Sequence, residues 1–258
     1  MFRVCGLSRA IFFSCASGLL TCAITVPSNA QSPYRPLSWS GLYFGVHAGG
    51  AAGTVDSLNV ATSPCPDTPN FCTTPSQHPT GGLAGGQIGY NWVFDGLLLG
   101  LEADLSVANI RDRVPDGNFI TQHTKIGALG TARARLGAQM GNFMPYLTGG
   151  LAFGQLTSGE TCPPNATGGW CLPSRHGTYS LEQTNWETGW TIGAGLEVAF
   201  SSRWTLKAEY MFVDFGSQRH VLDPLGVVSN PNPPRPSASD RNADWTLHLV
   251  RAGVNYKF

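Results

Sequence analysis

From residue 39 to the C terminus, apolar and polar residues alternate in eight separate segments. They cover about 39–52, 81–94, 97–109, 123–139, 143–155, 186–200, 204–215 and 244–258. A period of two places successive side chains on opposite faces of a β-strand, whereas a helix needs a period near 3.6. The 32 glycines fit this interpretation, and strand curvature and close packing explain the pairs at 81–82 and 85–86. The chain is therefore predicted to be all-β.

The gaps between the segments are short and long in strict alternation. Those after the second, fourth and sixth segments hold only two or three residues, at 95–96, 140–142 and 201–203. The first of them is Asp-Gly, a strong signal for a two-residue hairpin turn. The other gaps are rich in Pro, Asn, Ser and Gly, and cover about 53–80, 110–122, 156–185 and 216–243. This sorting is typical of an up-and-down transmembrane barrel, with periplasmic turns at one end and extracellular loops at the other.

Each segment also has one tall apolar face. In the segment 204–215 that face carries Trp204, Leu206, Ala208, Tyr210 and Phe212. Five or six alternate residues cover roughly the 9–11 residues that a tilted strand needs to cross a bilayer. Six aromatic residues lie beside the short gaps or at the C terminus: Phe94, Phe143, Phe200, Trp204, Tyr256 and Phe258. They fit an aromatic girdle at the membrane interface, although aromatic residues of an ordinary core could also lie near turns. We predict an eight-stranded antiparallel up-and-down transmembrane β-barrel over residues 39–258.

The first 30 residues have the pattern of a cleaved secretory signal peptide. Arg3 and Arg9 are its basic residues, residues 10–26 are apolar and small, and Ala30 fits the cleavage site. A transmembrane anchor would need a longer apolar span, and the LLTC at 19–22 is a poor match to a lipoprotein site. We expect cleavage before Gln31, a flexible lead-in over 31–38, and a mature protein in the outer membrane.

Four cysteines remain after removal of the signal, in two close pairs: Cys65 with Cys72, and Cys162 with Cys171. Each pair lies in a Pro-, Asn- and Thr-rich stretch outside the predicted strands. Four cysteines allow three connectivities, and proximity favours pairing within each stretch. Such disulfides fit an oxidising periplasm. A zinc site would prefer a tighter spacing, and free thiols are the remaining alternative.

The polar faces of the segments carry four acidic and five basic residues. An eight-stranded barrel has an interior just wide enough for side chains, and buried charges there must pair. The nine residues are Glu102, Asp104, Arg133, Arg135, Glu197, Lys207, Glu209, Arg251 and Lys257. Paired carboxylates also suit acid–base catalysis, but we interpret this set as a structural ionic network. We therefore predict no enzymatic activity. His47, His123 and His248 are expected near the outer rim, without a recognisable catalytic spacing.

Charge and motifs exclude several other classes of function. The formal charge of the whole chain is zero, so the sequence shows no electrostatic footprint for nucleic acid. It also has no phosphate-binding glycine loop before a helix and no zinc or calcium signature. We predict no cofactor and no metal.

Several stretches resemble the small outer-membrane β-barrel proteins of the OmpA type, particularly the surface antigens and porin-like proteins of alphaproteobacteria. They are WSGLYFGVHAGG at 39–50, GGQIGYNWVFDGLLLGLEADL at 85–105, PYLTGGLAFG at 145–154, TIGAGLEVAFSSRWTLKAEYMFVDFG at 191–216 and HLVRAGVNYKF at 248–258. The resemblance implies that the outer-membrane assembly machinery reads the last strand through Val254, Tyr256 and Phe258. OmpA itself carries a further peptidoglycan-binding domain that has no match here, so cell-wall tethering is not expected.

Three functional hypotheses follow. The first is a structural and surface-interaction protein, with long loops facing outward and an ionic network filling the lumen. The second is a narrow porin for small solutes, and the third is a membrane-embedded lipid-modifying enzyme. The expected partners are outer-membrane lipids with lipopolysaccharide, the assembly machinery, and a host or environmental ligand at the loops.

Overall fold

The computed structural model describes residues 38–59, 76–116, 120–162, 164, 178–221 and 240–258. Its eight strands pair antiparallel in chain order, and the last strand pairs with the first to close a barrel. The fold predicted from the sequence is confirmed. The strands are β1 (Gly41–Asn59), β2 (Thr80–Phe94), β3 (Leu97–Asp116), β4 (Ile120–Ala138), β5 (Phe143–Cys162), β6 (Tyr179–Ala199), β7 (Trp204–Val221) and β8 (Asp240–Lys257). No helix in these described ranges is long and apolar enough to cross a membrane.

The three short gaps are tight turns at one end of the barrel, which we call the short-turn end. In the turn between β2 and β3, Asp95 and Gly96 have φ angles of 49° and 82°. Two successive positive φ values match the right-handed twist of the flanking strands, and Asp-Gly is a preferred sequence for such a turn. The opposite end, where the longer connections lie, is called the loop end.

At the loop end the strands run further than the sequence pattern predicted. The fifth segment was predicted to end at residue 155, whereas β5 continues to Cys162. The predicted long gap at 110–122 is wrong, because β3 ends at Asp116 and β4 begins at Ile120. Beyond the lipid-facing apolar residues the outward positions of a strand are polar, as at Arg111 and Arg113 on β3, whereas an inward position such as Ile110 is apolar. The backbone pairing therefore continues where the apolar signal stops.

Side-chain burial reverses the arrangement of a soluble protein. On β7, Trp204, Leu206 and Tyr210 are exposed on the exterior, while Lys207 and Glu209 are buried inside. The exterior therefore presents an apolar surface, which we call the lipid belt. Along β6 the exposed aromatic residues include Trp186 and Trp190, and Phe200 follows directly after the strand. The ten positions from Trp190 to Phe200 cover roughly the 9–11 residues of a membrane-spanning strand, and Trp186 lies four positions further toward the loop end.

The interior contains two apolar clusters. The short-turn plug consists of Trp39, Leu98, Met144, Tyr146 and Ala199. The larger loop-side plug fills the other half of the barrel and is centred on Leu129, Leu156, Met211, Phe215 and Trp245. Only charged residues were predicted to fill the lumen, because the sequence pattern alone does not separate apolar residues at inward positions of the strand ends from the lipid-facing ones.

Candidate functional site: the charged layer of the lumen

Between the two plugs lies a layer of buried charged side chains, with Glu102 at its centre. Its Oε2 lies 3.3 Å from Nη1 of Arg135, and its Oε1 lies 2.6 Å from Nζ of Lys207. Arg133 also pairs with Glu102, and Arg251 approaches it at 3.8 Å. Strands β4, β7 and β8 thus direct four cations toward one carboxylate on β3. These charged residues meet because alternate side chains of each strand point into the barrel.

Two further carboxylates complete the centre of this layer. Asp104 Oδ2 lies 3.0 Å from Arg133 Nη2 and 2.9 Å from Arg251 Nη2. Glu209 pairs with Arg133, and its Oε2 lies 3.0 Å from Arg251 and 3.2 Å from Lys207. Each acid therefore has at least two cationic neighbours. Pairing of this kind offsets the large cost of removing charges from water.

Arg135 extends the layer toward the short-turn plug. Its Nη2 donates to Glu197 Oε2 at 2.8 Å, and its Nη1 donates to the hydroxyl of Tyr43 at 2.6 Å. The guanidinium carbon also lies 4.0 Å from the centre of the Tyr146 ring. A cation over an aromatic face is attracted by the electrons of the ring, more strongly when water is excluded. The two tyrosines therefore hold the position of Arg135.

Lys257 does not take the place predicted for it. Its ammonium group donates to the backbone carbonyls of Ser38 and Ser40, and it forms no ion pair within the part of the chain that the structure describes. It therefore ties the start of the barrel wall to β8, at the edge of the short-turn end. The charge-balanced set is four acids with four bases: Glu102, Asp104, Glu197 and Glu209 with Arg133, Arg135, Lys207 and Arg251.

The prediction that His47 lies near the outer rim is also wrong. His47 is buried inside the barrel, where its Nδ1 lies 2.7 Å from Gln87 Oε1 and its Nε2 lies 2.7 Å from Ser106 Oγ. Gln87 and Ser106 were not predicted as lumen residues, because both side chains are uncharged. The alternation pattern could have predicted them, because Gln87 and Ser106 occupy inward-facing positions next to Asp104.

The cysteines and the terminal strand can be placed in part. Cys162 is buried at the end of β5, not outside the strands as predicted, and it is disulfide-bonded. Cys65, Cys72 and Cys171 lie outside the described residues, so the pairing stays a prediction. The signal peptide at 1–30 and most of the lead-in also lie outside the described residues and stay predictions. Val254 and Tyr256 lie on the exterior of β8, and Phe258 follows the strand, with the centre of its ring 5.4 Å from that of Phe44. The role of these three residues in assembly also stays a prediction.

The geometry favours structure over chemistry in the charged layer. Each of its carboxylates is paired with at least one cation and is covered by protein, so the layer offers no exposed pair of acids to a substrate. Among the described residues, no group of three or more His, Cys, Asp or Glu side chains is arranged to hold a metal ion. The layer joins β3, β4, β6, β7 and β8 across the lumen.

A closed barrel with an apolar exterior and a polar layer inside defines a transmembrane β-barrel protein, because closure pairs every strand edge within the membrane. The chain belongs to the outer membrane protein beta-barrel domain family, whose model matches residues 19–258. It is a protein of the outer membrane, as predicted.

Two relatives illustrate the family. The chain is 34% identical to the 31 kDa outer-membrane immunogenic protein of Brucella melitensis over 97% of both chains. It is 30% identical to the 22 kDa outer membrane protein of Rhizobium leguminosarum, over 75% of this chain and 72% of that one. Among solved structures, the outer membrane protein OprG of Pseudomonas aeruginosa aligns with 85% of this chain and 97% of its own, at 12% identity and a TM-score of 0.47.

Proposed function

We propose that this chain is a structural and surface-interaction protein of the outer membrane, with its loop end facing outward and its lumen closed. The observation that carries the proposal is the filling of the lumen. A charge-balanced layer lies between two apolar plugs, and the largest buried side chains include Trp39 and Trp245 in those plugs. A barrel filled in this way acts as a rigid support for its loops, and we assign it no enzymatic activity.

The outward direction of the loop end has two supports. Bacterial outer-membrane barrels place short turns in the periplasm and longer loops outside. The Brucella relative is named an immunogenic protein, and recognition by antibodies on a cell requires outward-facing segments. We extend that surface role to this chain, with a host or environmental molecule as the partner of the loops.

Single-channel recording in planar bilayers tests the closed lumen. We expect the purified full-length protein to give no resolved current steps in concentrated KCl. The Arg133→Ala variant removes the central cation but leaves both plugs, so it should stay closed as well. Regular current steps from the unmodified protein would contradict the proposal and support the narrow porin.

Epitope insertion tests the orientation. A tag placed in the connection at 222–239 should be stained by antibody on intact cells. The matched insertion beside Ser202, in a turn of the short-turn end, should be stained only after permeabilisation. The opposite pattern would reverse the orientation.

A further inference from the structure

Three cations lie together on the exterior wall beyond the lipid belt, on β3 and β4. Arg111, Arg113 and Lys125 are all exposed. The strand register places Arg111 directly opposite Lys125, and two pairs along, on the same face, Arg113 lies opposite His123. We call Arg111, Arg113 and Lys125 the cationic patch.

Within the described ranges the cationic patch has no acidic partner. Among the described residues, none of its three side chains forms an ion pair or a hydrogen bond. Asp112 points to the other face of β3 and accepts from the backbone N–H groups of His78 and Arg113. Like charges directly opposed across two antiparallel strands destabilise the pair. An anion that sits over the patch would remove that cost.

The height of the patch indicates which anion. Val107, 74% exposed, is the last apolar residue of the lipid belt on β3. Arg111 follows four positions later, about 10 Å further out for a tilted strand with a rise of about 3.3 Å per residue. The headgroup region extends about 5–8 Å beyond the hydrocarbon core, and long basic side chains bend toward it. The patch therefore reaches the level of lipid phosphates.

The patch is also local to one side of the barrel. At the same end of the exterior, β1 and β8 carry carboxylates, and Asp56 lies directly opposite Asp244. A phosphate-bearing headgroup would thus meet attraction at β3 and β4, and repulsion at β1 and β8. Guanidinium groups suit phosphate because their N–H donors match two of its oxygens at once.

We propose that the cationic patch binds the phosphate groups of lipid A, the membrane-embedded part of lipopolysaccharide in the outer leaflet. The proposal rests on the outward orientation proposed above. Binding in detergent micelles does not depend on the orientation of the protein in the membrane. Epitope insertion therefore tests the orientation, and binding in micelles tests the cationic patch separately.

Native mass spectrometry of the full-length protein in neutral micelles tests the proposal. The protein is titrated with lipid A that carries its phosphates and with the same lipid after their removal. The Arg111→Gln/Arg113→Gln/Lys125→Gln variant should bind phosphorylated lipid A more weakly, by about fivefold for each cation removed. The matched control is Arg203→Gln, which removes an exposed cation at the short-turn end. Heat-modifiable mobility on gels verifies that each variant is folded.

A loss confined to the triple variant and to phosphorylated lipid A supports the proposal. Equal binding by the triple variant and the unmodified protein would overturn it. An equal loss for the phosphate-free lipid would also overturn it, because the contact would then not be to phosphate.

Discussion

Glu102 illustrates how one residue can hold the lumen together. Its side chain is inaccessible to solvent, and it accepts hydrogen bonds from Arg133, Lys207 and the hydroxyl of Tyr43. A carboxylate buried in this way loses its hydration, which costs several kcal/mol, and only close cations repay that loss. The arrangement is mutual, since the cations around Glu102 depend on it for their own compensation. Removing the negative charge of Glu102 should therefore destabilise the barrel more than removing both partners of an isolated ion pair.

We expect Glu102→Gln to lower the free energy of unfolding in phospholipid vesicles by about 3–5 kcal/mol. The amide keeps the size of the side chain, so the change isolates the loss of negative charge beside Arg133, Arg135 and Lys207. Urea titration followed by tryptophan fluorescence measures it. The matched control, Glu182→Gln on the exposed face of β6, should change stability by less than about 0.5 kcal/mol. Equal effects at the two sites would show that the charged layer does not stabilise the barrel.

At the scale of the strand, glycines on the inner face allow neighbouring backbones to approach. A Cβ atom on Gly85 would lie 2.1 Å from the carbonyl oxygen of Leu105 and 2.7 Å from the Cα of Ser106. Gly86 is the next residue and points outward, where the nearest atom to an added Cβ is 3.7 Å away. The strong curvature of a small barrel crowds the inside and spreads the outside. The same amino acid therefore has different roles at two successive positions.

This contrast gives a matched pair of substitutions. Gly85→Ala should destabilise the barrel by about 1–3 kcal/mol, because the backbone of β3 must shift to make room. Gly86→Ala adds the same methyl group toward lipid and should be close to neutral. Unfolding of both variants in vesicles measures the difference. If the two glycines tolerate alanine equally, crowding of the inner face is not what selects Gly85.

The strands also show which features the sequence could predict. The short-turn end was predicted well, because Asp95-Gly96 between β2 and β3 is a strong turn signal and only three residues separate the apolar faces at each of the other two turns. The loop end was not, because the alternation of apolar residues stops where the strand leaves the membrane. Inward parity placed Glu102 and Arg133 on the lumen side. Their ion pair, by contrast, depends on the stagger between β3 and β4, and no single segment encodes that stagger.

For the whole molecule, exposure means contact with lipid over the belt and contact with water beyond it. Leu101 is 57% exposed near the middle of the belt on β3, whereas Asn109 is exposed on the same strand beyond Val107. In a soluble protein both positions would tolerate arginine, since surface substitutions are usually within about 0.5 kcal/mol of neutral. In a bilayer the cost depends on depth, because a charge near the midplane loses its hydration.

We therefore expect Leu101→Arg to destabilise the protein in phospholipid vesicles by about 2–4 kcal/mol, and Asn109→Arg by no more than about 1 kcal/mol. Urea titration of both variants in the same vesicles gives the comparison, and repeating it in detergent micelles should reduce the difference, because a micelle deforms around a charge more easily than a bilayer. A small, equal cost at both positions would mean that Leu101 faces water, and the lipid belt would then be wrongly placed. A large cost at Asn109 as well would place the membrane boundary further toward the loop end. That result would bring Arg111 and Lys125 into the hydrocarbon, where unpaired charges are too costly to keep.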